Sequence, residues 1–172
     1  MNFRQQISNY VLGNLTTSDL PKTALIGLEN GLDSESLVIL AGLNEKDNSF
    51  EIDSYFNKAV DELGIQIPDK KTAALEIIRY YADLIKSKQI DSYLGVERIV
   101  RQVFYKTDFF DNSKEYAYDC IGFERIYGLY DTCCELESAD RPWDKNKTNQ
   151  ELIDGFKKDL IIEIEKWITN WK

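Results

Sequence analysis

The stretch GLDSESLVILAGL, Gly31 to Leu43, places serines and acids between glycines in the manner of a site. Its spacing says otherwise. With Asp33 as the cap of a helix, Leu32 and Leu37 take the flanking and fourth positions of a hydrophobic staple. Leu37, Leu40 and Ala41 then share one face at i, i+3 and i+4, while Ser34, Glu35 and Ser36 fill a first turn where acidic and hydroxyl groups suit the helix dipole. The stretch is a helix start, and the rest of the chain repeats its grammar.

Asn48 with Glu51 has the pattern of a capping box, opening a helix whose apolar face is Ile52, Tyr55, Phe56, Ala59, Val60 and Leu63, with Gly64 closing it. Ala74, Ile77, Ile78, Tyr81 and Ile85 form the next face, and Val96, Ile99, Val100 and Val103 that of the helix DSYLG starts. Asn112 with Glu115 and Thr148 with Glu151 are two further boxes, the second leading into Ile153, Phe156, Leu160, Ile164, Trp167 and Trp171. Phe3, Ile7, Tyr10 and Val11 mark a helix at the start, and Pro21 to Asn30 another. No segment alternates with period two, and the only prolines are Pro21, Pro68 and Pro142. The pattern predicts an all-α, single-domain, irregular bundle of roughly eight helices over residues 1–172, with 1–103 and 104–172 as possible sub-units. Whether Gly122 and Gly128 bend one helix over 113–138 or divide it stays open.

Composition narrows the chemistry. There is no histidine, which removes His-dependent triads, H-E-x-x-H metalloproteases and zinc deaminases. No P-loop, dinucleotide fingerprint or nucleophile elbow occurs. Cys120, Cys133 and Cys134 contain no C-x-x-C, and on a single helix the first and last would lie roughly 20 Å apart, too far to share a zinc ion. They are expected to be reduced thiols, and no cofactor is called for. The first residues lack a basic patch followed by an apolar run, and no run of about 18 apolar residues appears, so the expectation is a soluble, cytoplasmic protein. A net charge of −9 disfavours nucleic acid and anionic membranes and suits a basic partner protein.

Three segments, GLDSESLVILAGL, DELGIQIP and IDSYLGVERIV, between about Leu25 and Val103, together resemble small all-helical bacterial proteins of unassigned function. Some of those resemble the immunity proteins of contact-dependent and other polymorphic toxin systems. The resemblance implies a non-enzymatic inhibitor whose partner is a toxin domain, and it carries over no catalytic residue.

Charge locates the candidate surface. Between Phe104 and Asp140 nine acids face three bases. In the earlier helices acids have basic neighbours one turn away, as Glu97 with Arg101, Glu62 with Lys58 and Glu76 with Arg79. Glu115, Asp119, Glu124, Asp131 and Glu135 have none. The same segment is rich in aromatic residues from Phe104 to Tyr130. Tyr116, Tyr127 and Tyr130 can be placed on a core stripe, whereas Tyr118 is expected on the outer side beside Glu115 and Asp119. Tyrosine among unpaired acids suits recognition of a basic protein.

Three explanations stay open for these acids: pairing with Arg98, Arg101, Lys157 or Lys158 inside the fold, docking of a basic partner, or binding of Mg²⁺ or Mn²⁺. The first choice is a partner-binding face of Glu115, Tyr118, Asp119, Glu124, Asp131 and Glu135. The metal alternative uses Glu137 with Asp140 and Glu151 with Asp154, each pair on one helix face, in a hydrolase of a phosphorylated small molecule. A third possibility is self-association through an exposed stripe carrying Trp167 and Trp171.

Overall fold

The computed structural model describes residues 1–171, which form eight α-helices and three short 3₁₀ turns with no strand among the described residues. The all-α reading holds. The helices are α1 (Phe3–Val11), α2 (Leu20–Glu29), α3 (Glu35–Gly42), α4 (Ser49–Glu62), α5 (Lys70–Lys86), α6 (Ser92–Gln102), α7 (Glu124–Ser138) and α8 (Asn149–Asn170). Two compact units divide inside α5, the first being Met1–Ile77 and the second running from Ile78 onward. The change of charge density at 103/104 falls later than this division, because α6 packs on α7 and α8.

In the first unit Phe3, Ile7, Leu20, Ala24, Leu37, Leu40, Ile52, Phe56, Ala59 and Val60 make one buried cluster, with Leu32 packed on it. The opening stretch of the sequence is therefore scaffold, with its start one residue later than expected. Ser34, not Asp33, is the cap of α3, its hydroxyl accepting the Leu37 amide at 3.2 Å. Glu62 does not turn to Lys58. It accepts the Ser36 amide and hydroxyl at 3.0 and 2.6 Å, tying the end of α4 to the first turn of α3. Those two hydrogen bonds hold the Glu62 carboxyl below its ordinary pKa. Likewise Glu76 pairs with Arg4 at 2.9 Å rather than with Arg79. A tertiary partner has displaced the helical neighbour in both cases.

Four helices end alike. After α1, α2, α4 and α5 a residue in the left-handed region is followed by an amide that reaches back five residues: Asn14 to Asn9, Leu32 to Gly27, Ile65 to Val60 and Gln89 to Leu84. This is the Schellman arrangement, which favours glycine because a Cβ is strained at positive φ. Gly13, Gly31 and Gly64 fill it at three ends, with φ of 72°, 80° and 63°. At the fourth the residue is Lys88, φ 58°.

In the second unit α7 and α8 form an antiparallel pair. Near the 139–148 connection Cys133 and Leu136 pack on Ile153, and at the far end the rings of Phe123 and Trp167 meet edge to face, 5.6 Å apart. Thr148 and Glu151 form the expected capping box at the start of α8. The apolar stripe of α8 turns inward, with Ile153, Leu160, Ile164 and Trp167 buried. Trp171 stacks on Trp167, so the expected exposed tryptophan stripe is in fact part of this unit's own packing. The Trp167 indole N–H donates to the Ile121 carbonyl at 2.8 Å in a buried position.

The segment before α7 is not helical as expected. Phe104–Lys106 and Asp119–Ile121 are 3₁₀ turns joined by a loop, and Gly122, at φ 64°, separates the second turn from α7. Gly128 lies within α7. No helix begins at Asn112, whose side chain donates to the Asp108 carbonyl. Cys120 is thus on a 3₁₀ turn and the other two cysteines on α7, all three as free thiols. Burial pushes the Cys133 thiol up to about 11.

Two substitutions test this account. Trp167→Phe keeps a ring in place but leaves the Ile121 carbonyl without its donor, and the expected cost in urea unfolding is about 1 to 3 kcal/mol. Lys88→Gly relieves a strained backbone at a solvent-facing helix end. The expected gain is about 1 kcal/mol, read as a higher melting temperature.

Candidate functional site

A buried aromatic platform positions the site. Phe104 stacks on Tyr118 with ring centroids 3.9 Å apart, and meets Phe109 and Phe123 edge to face at 6.5 and 5.4 Å. Tyr118 in turn meets Tyr127 of α7 at 4.7 Å. The loop of 107–118 folds over this platform. Tyr118 takes a left-handed backbone, φ 66°, and its amide donates to the Ser113 hydroxyl at 2.7 Å. The Cys120 thiol donates to the Phe109 carbonyl at 3.2 Å.

Tyr118 is therefore not the exposed contact residue expected from a helical reading. It is 5% exposed, and burial pushes its phenol up to about 12. Asp119 likewise has an internal task. Its carboxylate accepts the backbone amides of Lys114, Glu115 and Tyr116 at 3.0, 2.8 and 3.1 Å. Glu115 and Asp119 are not neighbours on a helix face: the Asp119 carboxylate grips the Glu115 amide, because the segment is a loop. Glu115 itself is exposed at the loop surface.

The acids of α7 behave differently. Glu124, Asp131 and Glu135 are exposed, and their spacing of seven and four residues puts them on one stripe of the helix. No ion pair engages them among the described residues. The bases that could have paired with them are committed elsewhere or lie free of them: Arg101 binds Glu97 at 2.9 Å, Lys157 binds Asp91 at 3.3 Å, Arg125 binds Glu163 at 3.0 Å, and Arg98 lies over the Tyr81 ring. Gly128 falls on the same stripe, and a Cβ built there would meet nothing within 4 Å.

Beside this stripe the structure brings together aromatic groups that the helical reading assigned to the core or passed over. Tyr105 is 72% exposed, with Phe110 and Tyr116 at 60% and 61%. Tyr127 is half-buried. Burial, then the Asp131 carboxylate and the Tyr105 phenol, raise its pKa. Tyr130 is raised by burial and by Cys134, with Glu97 and Tyr105 contributing. The segment thus carries an exposed Tyr105 and two half-buried phenols, Tyr127 and Tyr130, that share a field with carboxylates of α6 and α7. The one cue to it in the sequence is the adjacency of Tyr105 to Phe104, which a 3₁₀ turn splits into one inward and one outward ring.

The four carboxylates of the metal alternative are engaged separately. Glu137 accepts the Tyr93 hydroxyl at 2.8 Å. Asp140 lies beyond the end of α7, so it shares no helix face with Glu137. Glu151 closes the capping box, accepting the Thr148 amide and hydroxyl at 2.8 and 2.9 Å, and Asp154 accepts the Gln150 amide group at 2.9 Å. Among the described residues no group of three or more Cys, Asp or Glu side chains is arranged to hold a metal ion. No helix among them is long and apolar enough to cross a membrane.

Comparison with known proteins finds no matching family model, no matching curated protein and no matching solved structure.

The loop's dependence on Asp119 is testable by pH. Three backbone amides hold its carboxyl below the ordinary aspartate value. A depressed acid contributes stability above its unfolded pKa and loses it as pH falls through the folded one. The protection of the Glu115 and Tyr116 amides from exchange, taken relative to an unstructured peptide at the same pH, is expected to fall below about pH 4, and in Asp119→Asn to be low at neutral pH as well.

Proposed function

We propose that this chain is a non-enzymatic protein-binding module, an immunity-like inhibitor that covers a basic surface on a toxin-like partner. The observation that carries the reading is the α7 stripe. Glu124, Asp131 and Glu135 point outward together with no ion pair among the described residues, in a segment that also exposes Tyr105. Carboxylates left unpaired on a folded surface repel one another weakly, and a basic partner relieves that repulsion while its approach is accelerated by the field. Tyr105 supplies a large amphipathic contact, since its ring and hydroxyl serve a partner's aliphatic stem and cationic head together.

The contact set is revised accordingly. Glu124, Asp131 and Glu135 stay, Glu115 lies in the flanking loop, and Tyr118 and Asp119 become the support beneath. Tyr105 takes the central place that Tyr118 had, with Phe110 and Tyr116 at the edge.

The test begins by using the tagged chain to isolate a basic protein at low salt, and then measures that purified pair. Lysine at positions 124, 131 and 135 is expected to slow association by at least about tenfold and to flatten its salt dependence. Tyr105→Ala is expected to act on dissociation instead, weakening the complex by about 2 kcal/mol. Unchanged affinity in the triple reversal would overturn the reading.

A further inference from the structure

The end of α5, the start of α6 and the first half of α8 border an open surface cavity of about 560 Å³, within the size range of small-ligand sites. Its apolar wall is Ile85, Ile90 and Ile161. Lys88, Lys157 and Lys158 line it as well, with Asp91 and Asp154. The two acids are already used: Asp91 caps α6 and pairs with Lys157 at 3.3 Å, and Asp154 accepts from Gln150. Lys88 and Lys158 have no acidic partner among the described residues. The lining thus carries three lysines against two aspartates, a local excess of positive charge in a chain with a net charge of −9.

A second observation comes from the backbone. Lys88 occupies the left-handed helix end that glycine fills at the three equivalent ends. Glycine would relieve the strain, so the local fold does not call for lysine there. What lysine adds is a cation on the cavity wall.

We propose that this cavity binds a small organic phosphomonoester. Lys88 and Lys158 neutralise the two charges of the phosphate as point cations, Lys157 adds a third donor while keeping its pair with Asp91, and the organic substituent lies on the isoleucine wall. A monoanionic carboxylate would leave one ammonium uncompensated. The site uses none of the residues of the α7 stripe.

The experiment titrates phenyl phosphate into the intact wild-type protein and into Lys88→Gly and Lys158→Gln, followed by amide chemical shifts, with benzyl alcohol as the uncharged control. Saturable binding that weakens with added salt is expected for the wild type, with shifts centred on residues 85–92 and 154–161. Each variant is expected to bind at least about tenfold more weakly. Because Lys88→Gly is also expected to melt no lower than the wild type, its loss of binding cannot be ascribed to misfolding. Equal binding by wild type and Lys88→Gly, shifts that never saturate, or equal binding of benzyl alcohol would each overturn the assignment.

Discussion

One buried hydrogen bond, from the Trp167 indole to the carbonyl of Ile121, joins the end of α8 to the turn that precedes α7. An indole ring buried without a partner for its N–H would be costly, and a carbonyl at the end of a 3₁₀ turn has no helical amide to receive. Each satisfies the other. Phe123 then packs on Trp167, Phe104 on Phe123, and Tyr118 on Phe104. The irregular segment of 107–121 is thereby held on the surface of the second unit by a continuous series of ring contacts, and Tyr105 is presented outward because its neighbour Phe104 is held inward.

Electrostatics divides the acids into two kinds. Those that organise the fold accept hydrogen bonds from amides or hydroxyls: Asp119 in the loop, Glu62 at α3, Glu151 at α8, Glu137 at Tyr93. Those of the α7 stripe accept none among the described residues. The distinction is chemical. A carboxylate that receives backbone amides is stabilised in its charged form by fixed dipoles and exerts less outward pull on a partner, whereas one exposed on a helix surface keeps its field for the solvent. Only the second kind leaves its field open at the surface.

Much of the helical framework was legible from periodicity and caps, because the helices of the first unit and α8 bury a 3.6-residue stripe, and because Asn48, Asp91 and Thr148 are local signals. The segment of 104–123 was not. Its aromatic residues are spaced as densely as a helical stripe would be, and the pattern cannot show that Tyr118 turns left-handed or that Gly122 ends a 3₁₀ turn. Both depend on contacts with Phe104 and Trp167, separated from them in sequence. The absence of cations one turn from Glu124, Asp131 and Glu135 was legible because it is a local property of α7, while Tyr118 and Asp119 were misplaced because their surroundings are tertiary.

The tryptophans are unevenly placed. Trp143, Trp167 and Trp171 all lie in the last thirty residues, Trp143 in the exposed connection and Trp167 in the buried aromatic series. Ultraviolet emission excited at the indole band therefore reports on the second unit alone, and the first unit, with no indole, is silent to it. A melting curve recorded by that emission and one recorded by helical circular dichroism would coincide only if both units unfold in one transition. The aromatic series thus doubles as a built-in optical gauge of whether this chain unfolds as one cooperative body or two.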